Sequence, residues 1–223
     1  MRRKSQERCQ AILDAAKAVF EKSGFEQATM TQIASEVGYS KATLYNYFSS
    51  KEQLFRELAR RSGDDHCEQL FSLLLPAGDS APSREFPAKL NAVLGLLQPS
   101  DNLPATLQRF GEGVMQNFLT LESLATRRML IAAIANQPDA GRLFYENGPT
   151  KGMQVTAHFF EQAMSAGQIR RADPHVVAAH FRALLESEVC ESGLFNARAE
   201  LTAKEMKAAV ARAVDVFIRA YGL

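Results

Sequence analysis

The sequence predicts an all-α protein of about nine helices, and three observations lead there. Apolar residues recur with helical spacing in nearly every segment, no run alternates as a strand does, and Gly and Pro fall between the periodic segments. Ile12, Ala15, Ala16, Val19 and Phe20 make the first stripe, and Val210, Val214, Phe217, Ile218 and Tyr221 the last. Stops or starts are expected at Gly24, Gly38, Pro99 to Pro104, Pro138, Gly148-Pro149, Gly167 and Asp173-Pro174. Pro76 to Pro87, rich in Pro, Ser, Gly and Ala, reads as a flexible linker. With 223 residues, 46% of them apolar, the chain can bury one sizeable core or a small module docked on a larger one.

The second helix begins at Thr29, whose spacing to Gln32 is that of a capping box, and Ile33 and Val37 face it inward. Gly38 ends it, because a tight turn between crossed helices calls for a positive φ that a side chain disfavours. Ser40 caps the next helix, with Leu44 and Phe48 on its buried side. Ala34 is small enough to let the two helices cross closely. Two short helices joined by such a turn form a helix-turn-helix. Ser50 and Gln53 repeat the capping-box spacing at the start of a long fourth helix, expected from about Lys51 to Leu75.

The outward face of the helix after Ser40 carries the functional signal. Lys41, Ala42, Thr43, Tyr45, Asn46 and Tyr47 lie on it, and no carboxylate occurs from Val37 to Lys51. A helix entering a major groove needs donors and small groups and must not repel phosphate. Its first residues are expected at base edges, with Tyr45, Tyr47 and Lys51 donating to backbone oxygens. Charge agrees: residues 1–61 hold eleven Lys and Arg against seven Asp and Glu, and residues 62–223 hold fifteen against eighteen. A basic head on a mildly acidic body suits a chain that meets a polyanion at one end.

From Thr29-Met-Thr-Gln-Ile-Ala-Ser-Glu-Val-Gly through Tyr-Ser-Lys-Ala-Thr-Leu-Tyr-Asn-Tyr-Phe48 to Phe55, and back through Ile12, Phe20 and Gly24-Phe25, the chain resembles the DNA-binding domain of the TetR family of bacterial regulators. The resemblance implies a helix-turn-helix domain over residues 1–52 and a helical ligand-binding and dimerisation domain over 53–223. It implies Thr29 or Thr31 near phosphate, Ser40 to Thr43 close to bases, Tyr45 and Tyr47 flanking the groove, and Lys51 on the DNA backbone. Tyr47 stands where many members have His, which keeps a phosphate donor and alters base preference. The Arg2-Arg3-Lys4 arm varies in the family.

Residues 62–223 hold ten of the fourteen phenylalanines, with Met115, Met129, Met153 and Met164, a composition suited to a malleable apolar pocket. Phe110, Val114, Met115, Phe118, Met129, Ala133, His158, Phe159 and Leu184 are the expected pocket residues, from inward stripes of successive helices, although each residue type is more often plain core. Leu121 to Pro149 resembles the C-terminal domain of the AefR-like group, a likeness that implies no particular ligand. Val177, Phe181, Leu185, Val210, Val214 and Phe217 are expected at a homodimer interface, a four-helix bundle with the same helices of a second copy. The expected partners are therefore palindromic operator DNA, a largely apolar small-molecule effector and a second copy, and the expected role is a repressor that the effector releases.

Other chemistry finds little support. Asp64-Asp-His-Cys-Glu68 has every common metal ligand, but consecutive helical residues point about 100° apart and cannot converge, so it reads as solvated helix. His175 and His180 fall on different faces, His158 reads as a satisfied core residue, and Gly111-Glu-Gly113 is only two glycines in a helix. No H-E-x-x-H, G-x-S-x-G or phosphate-cradling loop occurs, so neither an enzyme nor a cofactor is expected. Three widely separated cysteines suggest no disulfide framework. The longest apolar stretches fall short of the roughly 20 residues of a membrane helix, and a cytoplasmic location is expected.

Overall fold

The computed structural model describes residues 2–74 and 102–223, apart from the side chains of residues 2–5, 71 and 74. The Pro76–Pro87 linker and the side chains of the Arg2-Arg3-Lys4 arm lie outside the described residues. These form helices α1 (Arg2–Gln27), α2 (Met30–Val37), α3 (Lys41–Tyr47), α4 (Lys51–Leu74), α5 (Leu103–Phe118), α6 (Leu121–Ala133), α7 (Pro138–Tyr145), α8 (Lys151–Ser165), α9 (Pro174–Glu186), α10 (Cys190–Leu194) and α11 (Ala203–Tyr221). Gly148-Pro149, expected to interrupt the chain, is absorbed in a π-helical turn, Glu146–Thr150, that runs from α7 straight into α8. Contacts divide the chain into two compact units, Met1–Asp64 with Ala125–Asn147, and Asp65–Leu124 with Gly148–Leu223. The first unit thus extends past residue 52 and takes in a distant segment, which sequence periodicity does not reveal.

In the first unit, α1 breaks at Gly24 (φ 71°, ψ 162°), and the chain turns so that Phe25 packs with Phe20 and Phe55. The three ring centroids are 4.8–5.8 Å apart, spacing typical of favourable aromatic pairs. Ile12, Ala16, Ile33, Leu44 and Leu54, all 0% exposed, complete the core. Met129, Leu130, Ala133 and Ala140 belong to this same core. Two side-chain bonds tie their segment to α1: Thr126 Oγ1 donates to Glu21 Oε1 (2.7 Å), and Asn136 Nδ2 to Glu26 Oε1 (2.7 Å).

Gly38 closes α2 in the left-handed region (φ 73°), its N–H bonding Ser35 O and that of Tyr39 bonding Ala34 O. A Cβ built at Gly38 meets nothing within 4 Å, so any cost of a side chain there is conformational rather than steric. Gly38→Ala is therefore expected to cost about 1 kcal/mol, lowering Tm by about 2–4 °C, with Gly38→Asn recovering part of the loss. Thermal unfolding followed by circular dichroism checks this.

The second unit gathers α5, α8, α9 and α11 around Phe110, Phe160, Phe181 and Phe217, each at most 3% exposed. Two glycines let the end of α4 approach. A Cβ at Gly113 of α5 would lie 2.4 Å from Leu73 Cδ2, and one at Gly152 of α8 would lie 2.5 Å from Leu70 Cδ2. Gly111 and Gly113 are thus not incidental: the first seats Val210 and Leu185, the second Leu73.

Four expectations need correction here. Val177, Phe181, Leu185, Val210, Val214 and Phe217 are all buried within the single chain, at 0–7% exposure, so they build the unit's own core and offer no surface to a second copy. Met129 and Ala133 do not join the other pocket candidates, because they sit in the first unit's core. Phe110, Val114, Met115, Phe118 and Phe159 are core residues of the second unit, with Leu184 packed against them. His158 is no buried core residue: its side chain is partly exposed, with Nδ1 3.6 Å from Glu161. Nor is the segment after Asp64 simply solvated, since Cys67 is buried and the His66 ring lies 4.0 Å from that of Phe118. Among the described residues no group of three or more His, Cys, Asp or Glu can hold a metal ion, and no helix is long and apolar enough to cross a membrane.

Candidate nucleic-acid interface

The candidate surface is built by caps. Gln32 N–H donates to Thr29 Oγ1 (3.2 Å) while Gln32 Oε1 accepts from Thr29 N–H (2.8 Å), the reciprocal box that starts α2. Thr43 N–H donates to Ser40 Oγ (3.1 Å), and the two hydroxyls lie 2.8 Å apart. Together with Gly38 these bonds fix where α3 begins and how it leaves α2. Leu44 is fully buried and Phe48 nearly so, anchoring one face of α3. The opposite face emerges by necessity of the helical period.

On that face Ser40, Lys41, Ala42, Tyr45 and Asn46 are exposed, Tyr45 to 45% despite its large ring. Thr29 and Thr31 are exposed beside α2, and Thr43 is half-buried. Tyr47 departs from the expectation of an outward residue: it is half-buried, its ring packed against the first unit's core. Lys51 departs further. Its ammonium donates to Phe25 O (2.7 Å) and Glu26 O (3.2 Å) and sits 4.4 Å from the Phe25 ring centroid, so it closes the end of α1.

The start of α4 also differs in detail. Gln53 N–H donates to Ser50 Oγ (3.1 Å) as expected, but Gln53 Oε1 accepts from the N–H (2.6 Å) and hydroxyl (2.8 Å) of Ser49 rather than from Ser50. A charge network absent from the expectations lies one turn on. Arg60 binds both oxygens of Glu57 (2.8 and 2.9 Å) and Asp64 (2.6 Å), while Arg61 binds Glu57 (2.7 Å) and Gln10 (3.0 Å). Its signal, opposite charges three and four residues apart, was available.

Hydrogen bonds from Arg60, and then from Arg61, hold the Glu57 carboxyl below the usual carboxylate range against partial burial, which pushes it up. A depressed native pKa adds stability that is fully present above the unfolded-state value and is lost as pH falls through the native one. Glu57→Gln is accordingly expected to lower Tm by about 2–4 °C at pH 7, with the gap to the parent closing toward pH 3. Melting curves across that range check it.

Residues 12–58 match the family described as bacterial regulatory proteins, tetR family, and residues 105–223 match the AefR-like transcriptional repressor, C-terminal domain. Over 59 residues the chain is 42% identical to the uncharacterised HTH-type transcriptional regulator YfiR of Bacillus subtilis (strain 168), a stretch that makes up 26% of this chain and 29% of that protein. The chain therefore aligns with less than a third of that relative. A TetR-family transcriptional regulator from Mesorhizobium loti has a similar structure, with a TM-score of 0.82 and 25% identity, covering 98% of each chain. The flavonoid-responsive regulator FrrA is also similar, with a TM-score of 0.68 and 27% identity over 97% of this chain and 98% of its own.

Proposed function

The chain belongs to the TetR family of bacterial transcriptional regulators, DNA-binding proteins rather than enzymes, with an AefR-like C-terminal domain, and from this premise we propose a homodimeric repressor that a small molecule releases from a palindromic operator. The observation that carries the reading is the capped, carboxylate-free outer face of α3. Its exposed Lys41, Ala42, Tyr45 and Asn46 suit entry into a major groove, Ser40 to Thr43 nearest the bases and Tyr45 on the backbone. Thr29 and Thr31 suit neighbouring phosphates. Lys51 is assigned to positioning instead, since its ammonium holds the Phe25–Glu26 carbonyls, and Tyr47 supports α3 from behind.

Dimerisation is assigned to the outer faces of α9 and α11 rather than to their buried stripes. Val176 and Val216 are 45% and 48% exposed, and on the Val176 face of α9 the small residues Ala179 and Ala183 are exposed too. Small side chains permit close helix approach, and two heads related by a two-fold axis read half-sites about 34 Å apart. Effector binding is assigned to the second unit, near Phe118, His158, Phe159 and Leu184. A relative named for its response to flavonoids supports a small-molecule trigger. Release follows from the effector's preference for the state with the heads wrongly spaced, and only to the extent of that preference.

A gel shift on the DNA upstream of the chain's own gene tests the reading: specific, salt-sensitive binding is expected, and its absence at low ionic strength overturns it. Tyr45→Ala is expected to weaken binding about tenfold on every operator. Thr43→Ala should instead change which operator variants are preferred, measured as relative affinities over a panel of single-base changes. An equal loss on all of them would show that Thr43 does not read bases.

A further inference from the structure

Beside the C-terminal end of α3, wholly within the first compact unit, the surface forms a groove of about 320 Å³. Its floor is apolar, made by Phe48, the Tyr47 ring, Cys9 and Leu143. Its rim is polar and carries two guanidinium groups, those of Arg56 and Arg60.

The two arginines differ in what they still have to offer. Arg60 is committed, with Glu57 on two of its nitrogens and Asp64 on the third. Glu57, also on the rim, is committed in turn to Arg60 and Arg61. Arg56 is exposed and makes no salt bridge among the described residues. One turn earlier on α4, the Glu52 carboxyl is held below its ordinary range by the backbone amide and Ser50 at the helix start and, to a smaller extent, by the charges of Lys51 and Arg56. The rim therefore holds one cation, Arg56, that feels the Glu52 charge but makes no salt bridge among the described residues, above an apolar floor.

We propose that this groove binds a small organic carboxylate, its aromatic or short aliphatic body on Tyr47, Phe48 and Leu143 and its carboxylate on Arg56. Guanidinium presents a fork that matches a carboxylate with two parallel bonds. Gln53, whose carbonyl oxygen is held by Ser49, keeps its amide donors for the same rim. The volume lies at the small end of the ~300–1,000 Å³ of small-molecule sites, which limits the body to about one ring. A dianion such as a phosphate monoester fits less well, since its second charge would face Glu57 with no further free guanidinium. Because Tyr47 and Phe48 also close α3, an occupant that favours one position of that helix shifts DNA affinity from inside the reading head. This consequence rests on the regulator reading above; the binding itself does not.

The test is ligand-observed fluorine NMR with 4-fluorobenzoate on the full chain without DNA. Saturable line broadening is expected, with Kd on the order of 1 mM. Arg56→Gln should weaken it at least about fivefold, Arg56→Lys, which keeps the charge but loses the fork, should recover only part of that loss, and neutral 4-fluorobenzyl alcohol should bind the parent at least about fivefold more weakly. Circular dichroism verifies that the variants are folded. No saturable broadening up to about 10 mM overturns the proposal, and so does broadening that Arg56→Gln leaves intact, which would place the probe elsewhere. With operator present, the probe should change the parent's affinity and leave that of Arg56→Gln alone; an unchanged parent overturns the link to reading. Failure to bind any operator would strike the regulator reading while leaving the NMR result to stand or fall by itself.

Discussion

Lys41→Glu is expected to lower operator affinity at least about a hundredfold near 0.1 M salt while leaving the fold intact, because the proposed dimer would present the reversed charge twice and each lost contact is worth about 1–3 kcal/mol. Lys41 is the first residue of α3 and is exposed. A carboxylate at a helix N-terminus is favoured by the helix dipole, so the variant should melt within about 1 °C of the parent. Fluorescence anisotropy at several salt concentrations gives the second readout. If Lys41 neutralises one phosphate per protomer, the slope of log K against log salt should fall by about 2. Parental affinity in Lys41→Glu would mean that α3 does not face the duplex.

Phe55→Ala should have the largest effect on stability. Phe55 is 0% exposed and touches both other rings of its cluster, with Phe20 edge-on at 5.1 Å and Phe25 at 4.8 Å. Removing it costs about 3–5 kcal/mol, the transfer of the ring plus the cavity it leaves. That corresponds to a fall of about 10 °C in Tm. Because Phe25 also carries the Lys51 ammonium over its face, the end of α1 should loosen too. Operator binding should then decline at a lower temperature than in the parent, and melting curves with and without DNA would show it. Phe55→Leu, which refills much of the volume, should recover more than half of the loss.

What could be read from the sequence was what depends on near neighbours. The caps at Thr29 and Ser40 and the turn at Gly38 involve partners within five residues, and all three have the geometry that their spacing implies. The bonds of Lys51 were not legible in this way, because its partners, the Phe25 and Glu26 carbonyls, lie far away in the chain. The half-burial of Tyr47 was not legible either, because its place in the helical period borders the buried side, and only the neighbouring core decides which way such a residue falls.

The stripes of α9 and α11 show a different limit. Period identifies which residues share a face but not what covers it, and a protomer's own core and a dimer seam both ask for Val, Leu and Phe. Here Phe181 and Phe217 meet each other, at 5.0 Å between centroids, inside one chain. The faces left outward are rich in alanine, which carries almost no signal in a hydrophobicity pattern. Met129 and Ala133 illustrate the same point at larger scale, since both are apolar and inward but belong to the first unit.

Leu70 and Leu73 rest on glycines of two different helices, α8 and α5, with no room for so much as a methyl group between them. The end of α4 is thereby keyed, like a shaft with two teeth in two separate notches. Advancing it by a single residue, about 1.5 Å, would unseat both teeth at once. A displacement of α5 or α8 is consequently felt first by these two leucine side chains, which must shift or travel with it.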